Sequence, residues 1–111
     1  MIKCRIHIYN DYEAMDMDVY TECLLPAIPQ IGSILHLNDK NTAELEAKAR
    51  SKKEIAENYL EWFYGKSISC ENIDEADLKD LSFEDAIFVS DIRFVADNEY
   101  VDIELYDDVK K

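Results

Sequence analysis

The first residues of the chain alternate cleanly. Ile2, Cys4, Ile6 and Ile8 share one parity, and Lys3, Arg5, His7 and Tyr9 share the other. A period of two puts the sets on opposite faces of an extended strand, one apolar and one wet. Residues 15 to 23 repeat the pattern, with Met15, Met17, Val19, Thr21 and Cys23 against Asp16, Asp18, Tyr20 and Glu22. The segment between, Asp11-Tyr12-Glu13-Ala14, suits a hairpin loop. With that loop Lys3 faces Glu22, His7 faces Asp18 and Tyr9 faces Asp16, while Ile6 meets Val19 and Ile8 meets Met17. Opposite charges on one face and apolar pairs on the other favour this register.

The alternation then stops at LLPAIPQIGSILHL, residues 24 to 37, which holds both prolines and one of the two glycines. Pro26 and Pro29 each remove a backbone donor, so no central strand runs through them. They also bias Leu25 and Ile28 toward extended backbone. Gly32 is free to take a positive φ and turn the chain before Ser33. Pro26, Pro29 and Gly32 therefore read as a structural corner, with Leu25 and Ile28 plugging one end of the core. Ser33 to Leu37 follows as a third strand.

From residue 42 the period becomes helical. Asn41 with Glu44 three residues on has capping-box spacing, and Gly65 is the expected stop. One long helix over 42–64 is predicted, with Ser51 marking a bend or break. Thr42 to Lys53 is largely charged and is expected to project. Ile55, Ala56, Tyr59, Leu60, Trp62 and Phe63 form a broad apolar surface for the sheet. Residues 66–85 read as an acidic, loop-rich connection, with a short strand around Ile68 and Cys70 and anchors at Ile73, Leu78, Leu81 and Phe83. A last hairpin spans 86–106, turning at Asp97-Asn98 and pairing Phe94 with Val101, Ile92 with Ile103 and Arg93 with Asp102.

These elements make a single domain over 1–111: hairpin 2–23, proline corner and strand 24–37, helix 42–64, connection 66–85 and hairpin 86–106. The expected fold is α+β, a small, strongly bent antiparallel sheet or barrel of about five strands with one long inserted helix packed on it. The corner LPAIPQIGSILHL and the closing FVSDIRFVADNEYVDIEL resemble short bacterial or phage-associated proteins with a small, strongly bent sheet or barrel. The resemblance implies that fold and brings no activity, catalytic residue or cofactor. In those proteins a few residues join corner strand and hairpin. Here residues 38 to 85 intervene, which makes the helix an insertion.

Charge narrows the function classes. The formal net charge is −13, and Glu71 to Asp108 holds 14 acidic residues against two basic ones, Lys79 and Arg93. Nucleic-acid binding, which needs cations to neutralise phosphate, is not expected, nor is an anionic membrane surface. No apolar run approaches the roughly 20 residues of a membrane span, and the start of the chain lacks a signal peptide's apolar core. A soluble, cytoplasmic protein is expected.

Candidate chemistry is sparse. Two glycines leave no Gly-rich phosphate loop, and Cys4, Cys23 and Cys70 are too widely spaced for a zinc site. No metal and no cofactor is expected. The acidic residues Asp74, Glu75, Asp77, Asp80, Glu84 and Asp85 lack the glycine and ligand spacing of a calcium loop and read as a surface. His7, Tyr9 and Asp18 form a polar cluster on the first hairpin. Tyr59, Trp62 and Tyr64 point in different directions around the helix, so one ring is a candidate interface anchor together with the acidic residues.

The leading expectation is a non-enzymatic acidic protein-binding, adaptor or inhibitor-like domain with a protein partner, of basic character, or forming a homodimer. The alternative is a small ligand-binding or enzymatic domain with a helix–sheet pocket near His7 and Asp18. A nucleic-acid mimic has charge alone in its favour.

Overall fold

A computed structural model describes residues 1–8, 19–94 and 96–107, apart from the side chains of 62–64 and 107. Elements follow in the order β1 (Ile2–Ile8), β2 (Tyr20–Leu25), α1 (Asp39–Arg50), α2 (Lys53–Tyr64), α3 (Glu75–Lys79), β3 (Ala86–Phe94) and β4 (Val101–Asp107). The four strands form one sheet in the order β2-β1-β4-β3. β1 and β2 pair antiparallel, as do β3 and β4, but β1 and β4 run parallel. The α+β class therefore holds, whereas the sheet is mixed, four-stranded and not closed into a barrel.

The predicted third strand is reduced to an isolated bridge between Ile34 and Phe88. The corner nevertheless meets the outer edge of β3. Gly32 N–H donates to the Val89 carbonyl at 2.8 Å, Val89 N–H to Ser33 at 2.9 Å, and Leu35 N–H to Ile87 at 2.7 Å. The chain thus leaves β2 at one edge of the sheet and reaches the other edge within a few residues. Gly32 makes the turn with φ +90°. Leu25 packs against the core, but Ile28 is 38% exposed and plugs nothing.

The first hairpin kept its faces, and the second did so between Asp91 and its turn. β3 and β4 pair Phe94 with Val101, Arg93 with Asp102 and Ile92 with Ile103, as expected, before two irregularities shift the register toward Ala86. Asp97 turns that hairpin with φ +66°. β1 and β2 are displaced by two residues from expectation: Cys4 faces Cys23, Arg5 faces Glu22 and Ile6 faces Thr21. A shift of two preserves the side of every residue and still sets an arginine against a glutamate, so face pattern alone could not separate the two registers. The loop read as Asp11 to Ala14 lies outside the described residues.

The helix is broken in two. Ser51 Oγ donates back to the Lys48 carbonyl at 2.6 Å, and Lys52 is extended at φ −134°, ψ 134°. Its first half does not project. Asn41, Leu45 and Ala49, one stripe at four-residue spacing, are buried in α1. The N-cap is Asn38, whose side chain accepts from Asn41 N–H at 2.8 Å, and not Asn41. Gly65 closes α2 in the left-handed region, with Gly65 N–H donating to Glu61 and Lys66 N–H to Leu60.

Between the helices and one face of the sheet lies the core. Ile6, Ile8, Val89, Ile103 and Leu105 meet Leu45, Tyr59 and Leu60 there, all essentially inaccessible. In the connection 66–85 the expected strand near Cys70 is a 3-10 turn, Cys70–Asn72. Helix side chains hold this segment. Glu57 accepts Cys70 N–H at 2.7 Å, Glu46 accepts Phe83 N–H at 2.8 Å, and Arg50 donates to the carbonyls of Leu78 and Leu81. Among the described residues no helix is long and apolar enough to cross a membrane.

Candidate functional site

The second face of the sheet carries the polar parity of each strand: Lys3, Arg5 and His7 on β1, Tyr20 and Glu22 on β2, Asp102, Glu104 and Tyr106 on β4. None of these is fully buried, in contrast to the helix-covered face. Because β1 and β4 are the central strands, the basic residues of one lie beside the acidic residues of the other. Arg5 is in register with Asp102 and His7 with Glu104.

At the centre of this face, Arg5 stands over two rings. Its guanidinium carbon is 4.5 Å from the centroid of Tyr100 and 5.0 Å from that of Tyr20, a cation–π contact with each, and Lys48 Nζ also lies over Tyr20 at 4.4 Å. Glu22 Oε1 stands 3.8 Å from Arg5 Nε, and its other oxygen accepts the Tyr100 hydroxyl at 3.1 Å. That hydrogen bond is the chief reason the Tyr100 phenol is pushed above its ordinary pKa. Arg5 Nε is buried without a hydrogen bond among the described residues, so stacking and nearby charge hold the side chain.

His7 lies beside this group. Its Nε2 is 3.1 Å from Asp102 Oδ1, and its ring centroid is 5.7 Å from that of Tyr20. Of the cluster His7, Tyr9 and Asp18, only His7 falls within the described residues, and its acidic partner is Asp102. The two-residue shift in register sets Tyr20 opposite His7. Arg93 likewise meets Asp91 at 3.0 Å while Asp102 is engaged by His7. Ser90 donates to Glu104 Oε1 at 2.8 Å, and Phe88 and Tyr106 extend the aromatic surface toward β3 with centroids 6.2 Å apart.

Around the edge of β2 the face continues into a cavity of about 360 Å³, lined by Tyr20, Glu22, Asn38, Lys40, Asn41, Glu44 and Lys48. His7 is not among its walls. The α1 side chains here also cover the sheet edge: Lys48 donates to the Tyr20 carbonyl at 2.6 Å and Asn41 to the Glu22 carbonyl at 3.1 Å. Those carbonyls are otherwise available to a pairing strand from another chain.

The remaining candidate residues fall elsewhere. Tyr59 is fully buried in the core, edge-on to Phe83 at 5.2 Å, because α2 turns that face onto the sheet; it is no surface anchor. The Trp62 and Tyr64 side chains lie outside the described residues. Asp74 and Asp77 cap α3 reciprocally in a capping box, and hydrogen bonding from Asp77 holds the Asp74 carboxyl below its usual range. Asp80 pairs with Lys66 at 2.8 Å, while Glu75, Glu84 and Asp85 are exposed. Pro26 and Gly32 are exposed and Pro29 half-buried at the corner. Among the described residues no three His, Cys, Asp or Glu side chains are placed to hold a metal ion.

Sequence reasoning missed Tyr100, Glu22 and Arg5 as a unit. The only available signal was their parity, which puts Arg5 and Glu22 on the wet face, and the −12 charge of the segment that includes Tyr100. No family model, curated protein or solved structure matches this chain.

Proposed function

We propose that the protein is a non-enzymatic binding domain that takes a basic protein partner on the polar face of its sheet. One observation carries this reading: the face presents Tyr20, Tyr100, Phe88 and Tyr106 among the carboxylates of Glu22, Asp102 and Glu104. Rings and carboxylates together suit lysine and arginine side chains, by cation–π and charge-assisted hydrogen bonds. Arg5 and Lys48 against Tyr20 and Tyr100 already use that chemistry within the chain, so a partner's cations would meet the carboxylates and the rings of Phe88 and Tyr106. A net charge of −13 would draw a basic partner to the surface from a distance. An adaptor or inhibitor role fits such a surface.

Calorimetric titration with an arginine-rich peptide at low and high salt tests the reading. Binding that weakens with salt and with Glu22→Gln or Asp102→Asn, but not with Glu84→Gln, is the expected result. The absence of binding at low salt, or equal losses from Glu84→Gln, would overturn it. The alternative of small-ligand binding is favoured by the polar cavity between α1 and β2 alone, and Lys40→Ala would affect that role without changing peptide affinity.

A further inference from the structure

Cys4 and Cys23 are register partners across β1 and β2, and both project from the core face. Both are free thiols, Cys4 fully buried and Cys23 half-buried. We propose that this pair is an oxidative modification site, closing to a reversible cross-strand disulfide when the protein meets a peroxide. The proposal does not rest on the binding role.

The hydrogen-bond pattern sets the geometry. Tyr20 and Glu22 turn their carbonyls off the sheet edge toward Lys48 and Asn41. By strand alternation Thr21, Cys23 and Leu25 turn theirs toward β1, which makes Cys4 and Cys23 a hydrogen-bonded pair. Directly opposed residues of that kind have Cα atoms about 5.5 Å apart, inside the roughly 4.4–6.8 Å that a disulfide spans. Their Cβ atoms are set wider than a relaxed disulfide wants, so closure draws the strands together and leaves the bond strained. Strained disulfides are the reducible ones. Among the described strands β2 has a neighbour on one side only, and α1, hydrogen-bonded to its other edge at Tyr20, Thr21 and Glu22, must move with it.

The chemistry balances with one hydrogen peroxide. Cys23, on the more accessible strand, ionises only at alkaline pH because burial holds its thiol above the ordinary range. The thiolate attacks a peroxide oxygen and the O–O bond breaks. The leaving hydroxide takes up the proton the thiol released, and a sulfenic acid and one water result. Cys4 sulfur then attacks the Cys23 sulfur, the S–O bond breaks, and a second water leaves. Two thiols have lost two hydrogens and the peroxide has gained them. Cys70 belongs to the 3-10 turn and has no strand partner in this arrangement.

The test uses the folded full chain, wild type and Cys70→Ser, treated with hydrogen peroxide at mildly alkaline pH and alkylated under denaturing conditions. Expected are an intact mass lower by two hydrogens before alkylation, loss of two alkylatable thiols, and a linked pair of peptides containing Cys4 and Cys23. Reduced glutathione should restore both thiols. Oxygen added to single cysteines, linkage through Cys70 in the wild type, or Cys4 and Cys23 still alkylatable would overturn the proposal. Wild-type peptide mapping keeps it falsifiable should Cys70→Ser misfold, and a link that resists glutathione would overturn its reversibility.

Discussion

Asn41 Nδ2 donates to Thr21 Oγ1 at 2.7 Å, and so joins α1 to the edge strand through two buried polar side chains. The same amide serves the Glu22 carbonyl. Removing it strands a buried hydroxyl and a backbone acceptor, each costly to leave unmade. Asn41→Leu should therefore cost about 1–3 kcal/mol, read as a lower urea midpoint at unchanged slope. Adding Thr21→Val should return part of that loss, because the orphaned hydroxyl goes with it. Strict additivity of the two changes would show that the pair is uncoupled.

Gly32 has φ +90° and open space where a Cβ would stand. Any penalty on substitution is therefore backbone strain and not collision. Gly32→Val should destabilise by more than ~1 kcal/mol, since β-branching tolerates positive φ poorly. Gly32→Asn should lose less, because asparagine visits positive φ more readily. Equal thermal midpoints for all three proteins would remove the argument that this glycine makes the corner.

What was legible in the sequence was whatever a period or a local stop signal determines. Ile6 and Ile103 face the core as their parity requires, Gly65 ends its helix, and Phe94 meets Val101. Partners between distant segments were not legible. Nothing local specifies that β1 lies parallel to β4, so the meeting of His7 with Asp102, 95 residues away, was out of reach. The break at Ser51 was visible as an option, yet the role of Arg50 in tying down Leu78 and Leu81 was not. The acidic surface divides for the same reason: Asp74 and Asp77 cap a helix locally, whereas Glu22 depends on Tyr100 from the far end of the chain.

Burial pushes both the Cys4 and Cys23 thiols up, and proximity to Cys4 adds to the effect on Cys23. Below the ordinary thiol value of 9.0 both states keep the proton and the full contribution is present. As pH rises past that value the unfolded chain releases protons that the folded chain retains, so stability falls. The thermal midpoint should decline as pH is raised from 9, and Cys23→Ala should decline less steeply. Because other groups also titrate there, the difference between the two slopes is the readout. Parallel slopes would rule out the buried thiols as the cause.

Tyr59 decides between two uses of the aromatic end of α2. As an exposed anchor it would matter to a partner and little to the fold. Its side chain is instead 0% exposed, meets Phe83 edge-on and reaches the Ile8 carbonyl at 3.5 Å. Tyr59→Ala should then cost about 3–5 kcal/mol, as for other large aromatic truncations in cores. Tyr59→Phe keeps the ring and gives up the long hydrogen bond to the Ile8 carbonyl, so about 1 kcal/mol is expected, well below the cost of Tyr59→Ala. Chemical denaturation of both variants separates the cases. If Tyr59→Ala leaves stability within about 0.5 kcal/mol of the parent, as surface substitutions do, the ring is not packed between helix and sheet.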